Sequence, residues 1–86
     1  MARRLVEIRS DLGLHARPAA RLAELARRFK AKVYLKKGSR QVEAESILDV
    51  LALACTKGTV VEVFAEGEDA ERAVSEIAKL LGQELS

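Results

Sequence analysis

One cysteine, one histidine, one proline and no tryptophan occur in a chain of 86 residues. The lone Cys55 excludes an internal disulfide and any multi-cysteine metal site. The lone His15 removes most zinc constellations, so no metal is expected. Aromatic residues make up 3% of the chain, too few for the stacking platforms of single-stranded nucleic-acid modules. Five glycines and one proline are too few for a linker or a collagen-like chain. No apolar run approaches the roughly 18 residues of a membrane span. The opening Met-Ala-Arg-Arg-Leu-Val-Glu is too charged, and too short in apolar run, for a signal peptide. The expectation is a cytoplasmic protein that neither inserts into a membrane nor binds nucleic acid.

What the chain does have is an ordinary apolar fraction, 49%, with 33% charged residues. That mix argues for a folded core and against disorder. At this length the expectation is one domain over residues 1–86. The net charge of +2 conceals an asymmetry: residues 1–43 carry +8 and residues 44–86 carry −6. A basic first half points to an anionic ligand or an acidic partner, unless folding interleaves the halves.

The hydrophobic period changes along the chain. Val6 and Ile8 alternate with Glu7 and Arg9, as a half-buried strand requires. A turn-like stretch from Ser10 to His15 follows. Ala19, Leu22, Leu25, Ala26 and Phe29 then recur at helical spacing. Pro18 fits the first helical position and biases Arg17 away from helical angles, so this helix is predicted to begin close to Pro18. Val33 and Leu35 alternate with Lys32, Tyr34 and Lys36, and the run at Gln41 resumes after Lys37-Gly38-Ser39, which reads as a hairpin. Ser46 opens an apolar stretch, Ile47 to Cys55, that predicts a short helix, with Ser46 and Asp49 approximating a capping box. Val61, Val63 and Ala65 point one way in a further strand. Asp69 is the expected N-cap of a last helix whose stripe is Ala70, Ala73, Val74, Ile77 and Leu81, with Gly82 its stop. The order is βαββαβα. The expected class is α+β, an open, mostly antiparallel sheet with the helices together on one face.

Chemistry concentrates in Gly13-Leu14-His15-Ala16-Arg17-Pro18-Ala19. The first N–H groups of a helix lack internal partners, and with the helix dipole they make an anion site. A guanidinium adds a bidentate grip for phosphate. A neutral imidazole has a free ring nitrogen and can act as a nucleophile. Together these parts suit a phosphoryl group carried on His15. Cys55, in an apolar stretch, reads as a buried, inert thiol. Lys57-Gly58-Thr59 lacks the preceding glycine pattern of a P-loop, so nucleotide binding has little support. Lys32, Lys36, Lys37 and Arg40 on the hairpin are the one hint of a nucleic-acid surface, and the stacking aromatics that would go with it are missing.

The run at residues 13–19 resembles the active-site signature of the HPr family, the histidine-containing phosphocarriers of the bacterial phosphoenolpyruvate-dependent phosphotransferase system. The resemblance extends through Ser46-Ile47-Leu48 and Lys57-Gly58 and covers essentially the whole chain. It implies an open-faced β-sandwich of four antiparallel strands with three helices on one face. It also implies that phosphorylated enzyme I donates to His15 at Nδ1, that Arg17 stabilises the phosphate, and that an enzyme IIA domain is the acceptor. No cofactor bound by this chain is implied; magnesium and phosphoenolpyruvate belong to enzyme I. Leu14, Ala16, Pro18, Ile47, Leu48 and Leu51 map onto the family's docking surface. Ser46 matches a serine that a kinase phosphorylates in some members, although Glu43, Glu45 and Asp49 crowd it with negative charge. The Leu12-Gly13-Leu14-His15 run and Glu43-Ala44-Glu45-Ser46 are also similar to the nitrogen-branch regulatory carriers, which use the same histidine with signalling partners. A carrier that docks twice through one face is expected to be a monomer.

Overall fold

The computed structural model describes residues 1–84. The elements run β1 (Ala2–Ile8), α1 (Ala16–Ala26), β2 (Lys32–Lys37), β3 (Arg40–Glu43), α2 (Ile47–Ala52), β4 (Val60–Glu66), α3 (Ala70–Leu81) and β5 (Gly82–Glu84). The sheet is antiparallel throughout, in the order β3-β2-β4-β1-β5. The expected βαββαβα order and the open four-stranded sheet are both present. The short β5 is an addition: Gly82, Gln83 and Glu84 pair with Ile8, Glu7 and Val6 at the free edge of β1. Gly82 ends α3 as expected and is also the first residue of this strand.

Alternation decides which sheet face is covered. Val6 and Ile8 of β1, Val33 and Leu35 of β2, and Val61, Val63 and Ala65 of β4 are all buried. They share one core with Leu22 and Ala26 of α1, Val50 of α2, and Val74 and Ile77 of α3. The register puts Val6 opposite Val61 and Leu35 opposite Val63, so the apolar positions of neighbouring strands fall on the same face. The open face carries charged residues around one aromatic pair, Tyr34 stacked on Phe64 with ring centroids 5.0 Å apart. Among the described residues no polar or charged side chain is buried. Any chemistry therefore sits at the rim of the core.

Four local expectations are corrected. Helix α1 begins at Ala16, so Pro18 is its third residue and Arg17 is helical. The first intrahelical bond, Ala19 N–H to the His15 carbonyl at 2.9 Å, starts after the proline, whose missing N–H is again one that needs no partner. Phe29 lies beyond α1: Arg28 N–H bonds back to Leu25 O and Phe29 N–H to Ala26 O, tight turns that end the helix while Phe29 still packs on the core. Ser46 stands at the N-cap of α2 but its side chain makes no capping bond, so the capping box with Asp49 does not form, and α2 stops at Ala52. Asp69 stands at the N-cap of α3, yet its carboxylate accepts instead from Ala31 N–H at 2.8 Å and Lys30 N–H at 3.1 Å. Those two donors hold its carboxyl below the usual carboxylate range, the Ala31 bond contributing most.

Candidate functional site at the amino end of the first helix

The loop between β1 and α1 is shaped by Gly13. Its φ is +71°, and a Cβ there would lie 2.4 Å from the Cys55 carbonyl oxygen, so only glycine fits. Gly13 N–H bonds to Ser10 O at 2.9 Å, and Leu14 N–H to Cys55 O at 2.8 Å. A Lys57–Asp11 ion pair at 2.9 Å joins the same two loops at their exposed edge. The result is a rigid platform that delivers the next residue, His15, to the helix start.

His15 is half-buried and extended, with φ −91° and ψ −169°. Its side chain makes no capping hydrogen bond, so the imidazole is not engaged by the helix it precedes. Arg17 and Arg21, four residues apart and hence on one face of α1, are both exposed. Neither has an ion-pair or hydrogen-bond partner among the described residues. A cleft of about 730 Å³ opens here, lined by His15, Arg17, Arg21, Leu12 and Leu80 among others. None of the described residues lining it is a carboxylate. Two guanidinium groups without a partner among the described residues, the positive end of a helix and an imidazole with no capping bond are gathered here, a combination whose chemistry suits a tetrahedral dianion.

The remaining sequence-derived candidates separate. Ala16 is exposed and Pro18 half-buried beside His15. Leu14 is buried, 5% exposed, and belongs to the core. This corrects its assignment to a docking surface: the bond to Cys55 O turns its side chain inward. Leu48 is 79% exposed on α2. Ile47 and Leu51 are half-buried and pack against the core, so they present only edges. Ser46 is half-buried, its carbonyl accepting from Val50 N–H at 2.9 Å. Cys55 is buried, and burial pushes its thiol up, with Lys37 opposing.

Leu12 and Leu80 line the cleft and are exposed, 77% and 37%, although sequence reasoning did not place them there. A signal was present for Leu12, which interrupts an otherwise polar turn; Leu80 lies at the edge of the apolar stripe of α3, three residues from Ile77, where spacing alone does not settle its exposure. Among the described residues no group of three or more metal-ligating side chains is gathered, and no helix is long and apolar enough to cross a membrane.

Residues 2–83 match the family described as the PTS HPr component phosphorylation site. The HPr-like protein Crh of Bacillus subtilis is 39% identical over 85 residues, which is 99% of this chain and all of that protein. The crystal structure of a phosphocarrier protein HPr from Bacillus anthracis superposes with a TM-score of 0.89 at 34% identity, covering 93% of this chain and 95% of that one. A structure of Bacillus subtilis Crh, described as a catabolite repression protein and an intertwined, swapped dimer, gives a TM-score of 0.76 at 41% identity, with 88% and 87% covered.

Proposed function

The chain belongs to the HPr family of phosphocarriers, and from that premise we propose that His15 takes a phosphoryl group from phosphorylated enzyme I and passes it to a histidine of an enzyme IIA domain in sugar uptake. The observation that carries this reading is the pairing of an unengaged His15 ring with the unpartnered Arg17 and Arg21 at the start of α1. In the forward step the Nδ1 lone pair of His15 attacks phosphorus in line. The bond from phosphorus to the donor breaks, and the donor leaves with the electron pair. Arg17 grips two phosphoryl oxygens as a fork, and Arg21 adds charge from one turn further on. Little covalent work falls to the protein; positioning and electrostatics supply the rate. The site is open to solvent on one side, which suits a group that must be handed on.

Docking is assigned to Ala16, Pro18 and the exposed Leu48, with the edges of Ile47 and Leu51. An apolar ridge beside a cationic site fits transient partners that carry acidic charge. The monomer is the proposed working form, since one copy of this surface serves each encounter; sedimentation at working concentration checks it against the swapped dimer of the Crh structure.

The test is transfer from labelled phosphoenolpyruvate through enzyme I and magnesium. An acid-labile, base-stable label on the wild-type protein, absent from His15→Ala, is the expected result. No label with a cognate, active enzyme I overturns the proposal. A second reading, regulation in place of transport, is favoured by the likeness to Crh. It keeps His15 as acceptor, has the phosphorylation state read by signalling partners as in the nitrogen branch, and leaves Ser46 as a candidate target for a serine kinase. Partner capture with the phosphorylated and unphosphorylated forms separates the two readings.

A further inference from the structure

Four consecutive carbonyl groups, from the last residue of α2 onward, are all occupied, and not by α2 itself. Arg40 Nη1 donates to Ala52 O at 3.0 Å. Lys37 Nζ donates to Leu53 O at 2.8 Å and to Ala54 O at 3.1 Å. Cys55 O takes Leu14 N–H at 2.8 Å, one residue before His15. The end of a helix leaves just such acceptors unsatisfied, and its negative dipole end favours cations.

Lys37 and Arg40 are directly opposed across the β2–β3 hairpin. Like charges in that position repel, and the partial negative charge of the carbonyl oxygens at the end of α2 offsets that repulsion. The arrangement also explains Ala54, the one described non-glycine residue with positive φ, +54°. Its left-handed turn carries the chain from the carbonyls held by Lys37 to the carbonyl held by Leu14. A six-residue helix burying one residue, Val50, has little hold of its own.

We infer that Lys37 and Arg40 are positioning residues for phosphoryl transfer: they clamp the carboxyl end of α2 and, through Cys55 O, fix the Leu48 ridge in register with His15. The inference rests on the proposed docking reading and deepens it. Neither cation reaches the cleft that His15 lines; both act through the backbone. With the clamp released, α2 samples other placements, only a fraction of molecules is competent to dock, and apparent affinity falls by that fraction. Once docked, the partner restores the placement, so the transfer step itself is spared.

The experiment uses the whole chain as wild type, Lys37→Met, Lys37→Arg and Arg40→Gln. Its first arm needs no partner. Amide exchange followed by NMR should show Leu14 N–H exchanging about tenfold faster in Lys37→Met when scaled to Val6 N–H, with Lys37→Arg restored. Equal changes at Leu14 and Val6 overturn the clamp. The second arm measures transfer from phosphorylated enzyme I. Lys37→Met should raise KM about tenfold and leave kcat within about twofold, Arg40→Gln should do less, and Lys37→Arg should recover. An unchanged KM, or a loss that Lys37→Arg fails to recover, overturns the positioning role. A wild type that accepts no phosphate refutes the carrier reading instead, and the exchange arm still decides the clamp.

Discussion

Gly13 and Cys55 meet backbone to backbone, so closely that a Cβ on residue 13 would lie 2.4 Å from the Cys55 carbonyl oxygen and 2.9 Å from the Thr56 Cα. Both obstacles are main chain and neither can swing aside. Gly13→Ala therefore combines a left-handed penalty with overpacking and should cost about 2–4 kcal/mol in urea denaturation. Gly58→Ala is the control. Gly58 also has positive φ, +91°, but open space around it, so only the left-handed penalty of about 1–2 kcal/mol is expected. Equal losses would mean that the contact with Cys55 is not what demands glycine at position 13.

Leu14 and Leu48 should respond in opposite ways. Leu14 is a core residue and Leu48 projects into solvent. Leu14→Ala should lose about 2–5 kcal/mol of stability as a large-to-small core change. Leu48→Ala should stay within about 0.5 kcal/mol of wild type and instead raise the KM for the phosphoryl donor. Thermal melts and transfer kinetics on the same two variants check both halves. If Leu48→Ala leaves KM unchanged, the docking ridge is elsewhere.

Much of this molecule is legible along the chain, and what is not has a physical reason. The alternation at Val6 and Ile8, and at Val61, Val63 and Ala65, names the covered sheet face because the strand period is two. The stripe through Ala73, Val74, Ile77 and Leu81 names the buried face of α3. Leu14 is different. Ala16 and Arg17 of the same motif are exposed, while Leu14 is buried with its N–H held by a carbonyl forty-one positions away at Cys55, which no local pattern records. Strand β5 is equally silent, because three residues carry no period and only the free edge of β1 makes them a strand. Asp69 shows a half-success: the residue type marks the helix boundary, while its actual donors, Lys30 and Ala31, come from another loop. That His15 and Arg17 lie at a helix start is legible, since a helix boundary is marked locally, although α1 begins two residues before Pro18.

The Asp69 contacts give a pH signature. The carboxylate is stabilised by N–H donors in the folded state, which lowers its pKa below the unfolded value. The contribution is thus complete above the unfolded pKa, near about 4, and is lost as pH falls through the lower folded value. Wild-type melting temperature should drop more steeply below about pH 4 than that of Asp69→Asn, which has no charge to lose there. At neutral pH the variant should be the less stable of the two, because an amide is a weaker acceptor for Lys30 and Ala31. Parallel melting curves across the acid range would remove Asp69 from the loop's support.

Arg17 and Arg21 are both exposed, both unpartnered among the described residues and both at the cleft, yet their proposed shares differ. Arg17 is the second residue of α1, in the first turn, where the N–H groups have no intrahelical partner. Arg21 lies a full turn along, where it meets the same charge from farther away. Arg17→Ala should slow phosphoryl acceptance by His15 about 100-fold, the scale of removing one charge-stabilising donor from a transfer site. Arg17→Lys should recover only part of that, because a point charge replaces a planar fork. Arg21→Ala should cost less than Arg17→Ala and should show mainly at low ionic strength, where steering counts. All three variants should melt within a few degrees of wild type, since neither side chain contributes a described contact to the fold. Single-turnover transfer at saturating donor reads the rates directly. A wild-type rate in Arg17→Ala together with a large loss in Arg21→Ala would move the phosphate grip one turn along the helix.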